Sequence, residues 1–182
     1  MIKYPFLESN AAVGVTAPSS GVQSELHELL ESALKSMEKK GFKIISGETN
    51  WTQDKAKSAS AKKRAEEFNE MMLNEEIQLI LPPWGGELLI ETLEHIDFEA
   101  IKKKWVQGYS DISMLLLAIT LKTGVATAHG TNLIDLRGEY SDDTTKMWES
   151  VLTTKMGDSI LQNSSKKYQQ EWLLDNPTPY IF

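Results

Sequence analysis

The sequence has no cysteine and three histidines among its 182 residues. The lack of thiols removes disulfides, thiolate metal sites and cysteine nucleophiles, and three histidines leave little material for an imidazole metal centre. Catalysis would therefore fall to hydroxyls and carboxylates, and no metal or cofactor is expected. No apolar run reaches the length of a membrane span. Met1 to Asn10 has neither the basic stretch nor the hydrophobic core of an export signal. A cytoplasmic location with no membrane partner is expected. Positive charge is also scarce: 19 Lys and Arg against 26 Asp and Glu give a formal net charge of −7. That balance opposes the neutralisation of phosphates, so no nucleic-acid partner is expected. Two basic clusters, Lys62-Lys63-Arg64 and Lys102-Lys103-Lys104, lie among glutamates in or beside helical patterns and read as solvated helix faces.

What is present suffices for one substantial core, since 41% of the residues are hydrophobic. Short apolar runs alternate with helical patterns along the chain. Ala12 to Ala17 reads as a buried strand broken by Pro18-Ser19-Ser20-Gly21. A helix follows with Val22, Leu26, Leu29, Leu30, Ala33, Leu34 and Met37 on one face, a Ser20/Gln23 capping box, and Gly41 at its stop. Phe42 to Ser46 is a second strand, followed by a long polar loop from Gly47 to Lys57. A helix near Ser60 to Leu73 carries Ala61, Ala65, Phe68 and Met72 inward, with Glu66, Glu67 and the basic residues facing away. Glu76 to Leu81 forms a third strand, halted by Pro82-Pro83 and the turn Trp84-Gly85-Gly86. Short helices are expected over Glu87 to Leu93 and from Asp97 to Ile101. Val125 to Gly130 reads as a fifth strand, Asp142 or Asp143 as the cap of a helix with Met147, Trp148, Val151 and Leu152, and Ile160-Leu161 as a further short strand. The βαβαβα order predicts an α/β fold, mainly a parallel sheet with helices on both faces in three layers. Ligands of such sheets bind beyond the carboxyl ends of the strands.

The central stretch is Trp105-Val106-Gln107-Gly108-Tyr109-Ser110-Asp111-Ile112. It reads as a strand, a corner at Ser110 and then a helix over the apolar run Ile112 to Leu121. A serine at a strand-to-helix corner suits a nucleophile, with its hydroxyl exposed and helix N-terminal N–H groups ready for an oxyanion. A serine there is equally an ordinary helix cap. Ile112 stands where the second glycine of G-x-S-x-G would be, so spacing alone leaves both readings open. Three segments converge at strand ends: Pro18-Ser19-Ser20, Trp84-Gly85-Gly86 and Tyr109-Ser110-Asp111. His129 also falls at a strand end, as a local base or a structural histidine. The first turn lacks G-x-G-x-x-G, which argues against dinucleotide binding.

Taken together, Gly14 to Ser20, the helix carrying Arg64-Ala65, Gly85-Gly86-Glu87, Ile96-Asp97-Phe98, Gly108-Tyr109-Ser110-Asp111 and Lys122-Thr123-Gly124 before Gly130 resemble the amino-terminal domain of LD-carboxypeptidases. The resemblance is closest to their branch of microcin C immunity peptidases, and it runs from about Val13 to Leu152. It implies a nucleophile-elbow fold and a serine peptidase that cleaves an amide next to a free carboxylate. Ser110 then matches the nucleophile, and the backbone N–H groups of Gly86 and Asp111 match the oxyanion hole. Ser19, Gly85, Glu87 and Tyr109 border the substrate. Implied substrates are a murein tetrapeptide or an aminoacyl-nucleotide, and a homodimer is expected. Glu87, where many murein-recycling members carry an aromatic residue, leans towards the immunity branch.

The same resemblance assigns the other two triad members, a glutamate and a histidine, to a second, carboxy-terminal domain. Residues 1–172 are therefore expected to form the nucleophile-bearing domain and residues 173–182 the start of a linker. A serine without a base is a weak nucleophile, so the isolated chain is expected to be inactive or nearly so. The competing reading is a binding module that holds an amino-acid or nucleotide-like ligand at the strand ends without turning it over.

Overall fold

The computed structural model describes residues 1–138 and 143–164. Five strands, β1 (Ala12–Val15), β2 (Lys43–Ser46), β3 (Ile77–Ile80), β4 (Trp105–Gly108) and β5 (Ala128–His129), form one sheet in the order β2-β1-β3-β4-β5. Every pairing is parallel. Parallel neighbours need crossovers, and α1 (His27–Lys39), α2 (Ala61–Leu73), α3 (Leu89–Leu93) and α4 (Ile112–Thr123) lie in those connections. Two short helices, α5 (Asp143–Lys146) and α6 (Trp148–Leu152), follow β5.

The two faces of the sheet carry separate cores, as a three-layer arrangement requires. Val13, Val15, Leu79, Leu81 and Trp105 pack with Leu30, Ala33 and Met37 of α1, with the 3-10 turn Leu133–Leu136, and with Trp148 and Leu152 of α6. On the other face Ile77, Ile80 and Val106 pack with Ala65, Phe68, Met71 and Met72 of α2, Leu89 of α3, and Ile112, Leu115, Leu116 and Ile119 of α4. Each fully buried side chain of this size contributes about 1.5–3 kcal/mol. Ile77 and Leu79 would share a face in a regular strand. A register shift, with Ala12 opposite Ile77 but Val13 opposite Leu79, inserts Gln78 and sends them to opposite cores. The spare Gln78 side chain accepts from the Glu8 N–H and donates to its carboxylate.

Several expectations are corrected. The Ser20/Gln23 capping box does not form: Ser20 Oγ donates to Ala56 O, and the helix begins with a 3-10 turn, Ser24–Leu26, that has no side-chain cap. Residues Asp97 to Ile101 form a turn in which Asp97 accepts from the Glu99 and Ala100 N–H groups, and no helix propagates from it. The fifth strand shrinks to Ala128–His129, because Val125 is held instead in a bridge beside Lys3. Ile160 and Leu161 are irregular and exposed. The long polar loop holds a 3-10 turn, Glu48–Trp51, whose Thr49 and Asn50 are fully buried. Glu67 faces this turn and accepts from Thr16 Oγ1, Thr49 Oγ1 and the Thr49 N–H. Two supposedly solvated cations, Arg64 and Lys104, are buried. Asp142 and the expected linker fall outside the described residues.

Candidate functional site

The connections after β1, β3 and β4 meet beyond the carboxyl ends of the strands, near the place where strand order reverses around β1. β4 ends at Gly108, two residues on the chain turns, and α4 starts at Ile112. Ser110 is the pivot. Its φ of 62° lies in the left-handed region, which a non-glycine residue occupies only when its surroundings enforce it. The enforcement is visible on both sides: Tyr109 N–H donates to Asn132 Oδ1 at 3.2 Å, and Ser113 N–H donates to Ser110 O at 3.0 Å. The Ser110 side chain is exposed, and no described side chain is hydrogen-bonded to its hydroxyl.

Two glycines let the turn after β3 close on this corner. A Cβ on Gly85 would stand 2.8 Å from Ser110 Cβ and 3.1 Å from the Asp111 nitrogen. One on Gly86 would fall 2.3 Å from Ser19 Oγ and 2.5 Å from Ser20 Oγ. No L side chain fits at either place without moving backbone. The N–H groups of Gly86 and Asp111 have no acceptor among the described residues. The Asp111 side chain does not cap its own helix; it accepts from Ser19 Oγ at 2.5 Å and from the Leu89 N–H at 2.9 Å, tying the β1, β3 and β4 connections together. Ser20 N–H donates to Gly85 O, a second tie.

Beneath this surface lies Arg64, with no exposed side-chain area. Its Nη1 donates to Pro18 O at 3.1 Å and Leu88 O at 2.9 Å, and its Nη2 pairs with Glu91 at 2.9 Å. Burial pulls the guanidinium below its ordinary pKa, opposed by Glu91 and Asp111. Thr92 Oγ1 also donates to Pro18 O. The loop that presents Ser19 and the turn that presents Gly86 are thus fastened to one buried cation.

A cleft of 470 Å³ opens beside Tyr109, lined among others by Gln107, His129, Thr131, Asp135 and Trp148. Burial raises the Asp135 carboxyl above the usual range, against hydrogen bonds from the Asn132 backbone, Thr131 and Tyr109. His129 pairs in register with Gly108, at the cleft rim. His27 is engaged with Val22 O and lies edge-on to Trp51, and His95 lies beside Glu94.

Of the residues singled out in the sequence, Ser19, Gly85, Gly86, Ser110 and Asp111 come together directly, Tyr109 lines the cleft, and Glu87, next to Gly86 in the chain, is exposed. Arg64, Thr92 and Asn132 went unassigned as supports. Arg64 alone had a readable signal: it falls on the stripe Ala61, Ala65, Phe68 that α2 turns inward.

A parallel α/β sheet with a left-handed serine between strand and helix, faced by a glycine turn, defines a nucleophile-elbow domain. The family model described as the LD-carboxypeptidase N-terminal domain matches residues 13–130, and the chain belongs to that family. It is 34% identical over 140 residues to the microcin C7 self-immunity protein MccF of Escherichia coli, covering 74% of this chain and 41% of that protein. It is 32% identical over 129 residues to a Bacillus subtilis (strain 168) protein named "Probable murein peptide carboxypeptidase", covering 70% and 40%. The fold superposes on MccF in complex with aspartyl sulfamoyl adenosine with a TM-score of 0.86 at 28% identity, covering 94% of this chain and 52% of that one. The chain is therefore a carboxypeptidase-type, MccF-like domain, and it spans about two-fifths of the length of the curated relatives it matches.

Proposed function

We propose that this chain is the nucleophile-bearing domain of a serine carboxypeptidase that cleaves an amide next to a free carboxylate. Ser110 is the nucleophile in this reading, and the Gly86 and Asp111 N–H groups receive the oxyanion. The observation that carries it is the left-handed φ of Ser110 with Gly85 packed against its Cβ, a strained corner that a helix cap does not need. The two N–H groups beside that corner, which have no acceptor among the described residues, favour negative charge developing on a carbonyl oxygen during attack. Ser19, Gly85, Glu87 and Tyr109 border the substrate. An aminoacyl-nucleotide is favoured over a murein tetrapeptide, in keeping with the ligand of the superposed MccF complex and the exposed acidic Glu87 after Gly86. The base that takes the Ser110 proton, and the carboxylate that orients it, come from a second domain, so the 182-residue chain alone turns over little or nothing.

The test fuses the chain, at its carboxyl end, to the part of MccF beyond the match and follows hydrolysis of aspartyl sulfamoyl adenosine and a murein tetrapeptide by mass spectrometry. Turnover that falls at least about 10³-fold in Ser110→Ala is expected. Turnover that survives Ser110→Ala would sink the nucleophile assignment. A folded fusion that binds either compound without cleaving it would establish the binding-module reading instead. Turnover by the unfused chain that needs both Ser110 and His129 would mean that the domain carries its own base.

A further inference from the structure

The segment from Thr131 to Leu136, which contains the 3-10 turn Leu133–Leu136, holds both halves of the Ser110 site at once. On one side it grips the strand that leads to the serine: Gln107 Nε2 donates to Thr131 O at 3.0 Å, and Asn132 Oδ1 accepts from the Tyr109 N–H at 3.2 Å. The approach is close, since a Cβ on Gly108 would stand 2.8 Å from Asn132 Oδ1. On the other side the Leu133 and Ile134 N–H groups donate to Pro82 O and Pro83 O at 3.0 and 3.1 Å, just ahead of Gly85 and Gly86. Asp135 closes the segment on itself. Its Oδ2 accepts from the Asn132 N–H at 2.9 Å and from Thr131 Oγ1 at 3.2 Å, its carboxylate also receives the Tyr109 hydroxyl, and its own N–H donates back to the Asn132 side chain.

We infer that Asp135, in its ionised form, is a positioning residue that holds the Ser110 corner in register with the Gly85-Gly86 turn, so that turnover is lost as its carboxylate is protonated. An N–H and two hydroxyls converge on this group. A carboxylate only accepts, whereas a protonated carboxyl brings a donor of its own into the same space. Protonation therefore loosens Asn132 and, through it, the Tyr109 N–H and the left-handed residue that follows. Burial raises the Asp135 carboxyl above its usual range, and the charge of Arg137 on the same turn opposes that shift. Tyr109 and His129 are the other titratable groups lining the cleft among the described residues, and α5 and α6 present to it Thr144, Thr145, Trp148 and Val151, without charge. A folded pKa above the unfolded one means that stability falls as pH rises through the window between them. Ionised Asp135 thus positions at a cost in stability, the reverse of a merely structural carboxylate. The effect on turnover rests on the reading of Ser110 as the nucleophile; the coupling between the two turns does not.

Carboxyl and amide NMR resonances of the 182-residue chain, followed against pH, test that coupling without any variant. Asp135 should titrate above the ordinary aspartate range, and the amides of Tyr109, Ser110 and Gly86 should move with its midpoint. In the fusion to the remaining part of MccF, kcat should show an acid limb at the same midpoint. Asp135→Asn should lower kcat about 10²-fold with KM little changed, and abolish both the limb and the shared amide titration. Its thermal midpoint at neutral pH should be no lower than that of the parent. Wild-type kcat in Asp135→Asn would overturn the inference, as would a loss of kcat that only follows a lowered thermal midpoint. An acid limb that disappears in His129→Gln would assign it to the histidine and overturn the inference too. A fusion without turnover, or turnover that survives Ser110→Ala, counts against the nucleophile reading, and the resonances then decide on Asp135 alone. Shared titration would support its hold on the two turns, and Ser110 and Gly86 amides that ignore Asp135 would overturn it.

Discussion

Helix α2 is held at each end by a buried cation, and the two are held differently. Arg64, in the first turn, has a carboxylate partner in Glu91 and spends its planar fork on the carbonyls of Pro18 and Leu88. Lys104, arriving from the start of β4, donates to Met71 O and Asn74 O at the other end of the helix, with no carboxylate among the described residues in direct contact. Burial therefore lowers the Lys104 pKa to about 8, with Lys102 adding to the shift and Glu75 opposing it. The helix C-terminus needs only donors for its open carbonyls, and an ammonium supplies them. The Ser110 end needs two loops fixed in relation to each other, which a forked, permanently charged guanidinium does better. The kind of cation thus follows what each end requires, with positioning at the carboxyl ends of the strands and capping at the opposite end.

The largest effect should come from Arg64→Met. It leaves Glu91 and the Leu88 carbonyl without their donor and Pro18 O with Thr92 alone, and urea unfolding should register a loss of about 3–5 kcal/mol. Arg64→Lys keeps the charge but not the fork, and a smaller loss of about 1–3 kcal/mol is expected. If Lys restores the full stability, the fork is not what matters and the contrast with Lys104 collapses. The next effect is on pH dependence. The folded pKa of Lys104 lies below its unfolded value, so between about pH 8 and 10.4 the unfolded chain binds more protons and stability rises with pH. The gain is at most about 3 kcal/mol, and it should be missing in Lys104→Met. Stability that falls across this window in the parent chain would contradict the buried ammonium. Smaller still is the cap: Ser60 Oγ accepts from the Lys63 N–H, and Ser60→Ala should cost about 1 kcal/mol by thermal unfolding. Lys63→Ala removes an exposed ion pair with Glu48 and should leave the midpoint unchanged within error.

The same contrast explains what the sequence made legible. Strands β1 to β4 and helices α1, α2 and α4 announced themselves through apolar spacing and turn residues, and the Ser110 corner through Gly108 and the apolar run after it. Arg64 lay on the inward stripe of α2, but its charge and its neighbours Lys62 and Lys63 suggested the opposite face. Lys104 gave no periodic signal because it precedes a strand. Thr49 and Asn50 are polar residues in a polar loop. Their burial is set by partners distant in sequence, Glu67 for Thr49 and Val15 O for Asn50, which local pattern cannot supply. Asn132 is legible as a loop residue and nothing more until the fold brings it to the Tyr109 N–H.

The central position of β1 has a consequence for the order in which the protein is made. β1 is translated before both of its neighbours in the sheet, β2 and β3, and Val13 and Val15 share a core with Leu133, Leu136, Trp148 and Leu152, which are made much later. The corner is assembled in the same sequence: Ser19 is synthesised first, then Gly85, then Ser110, and last Asn132, which pins the strained turn. Until Asn132 is made the elbow has no clasp, and the apolar strands already released have an incomplete core to pack into.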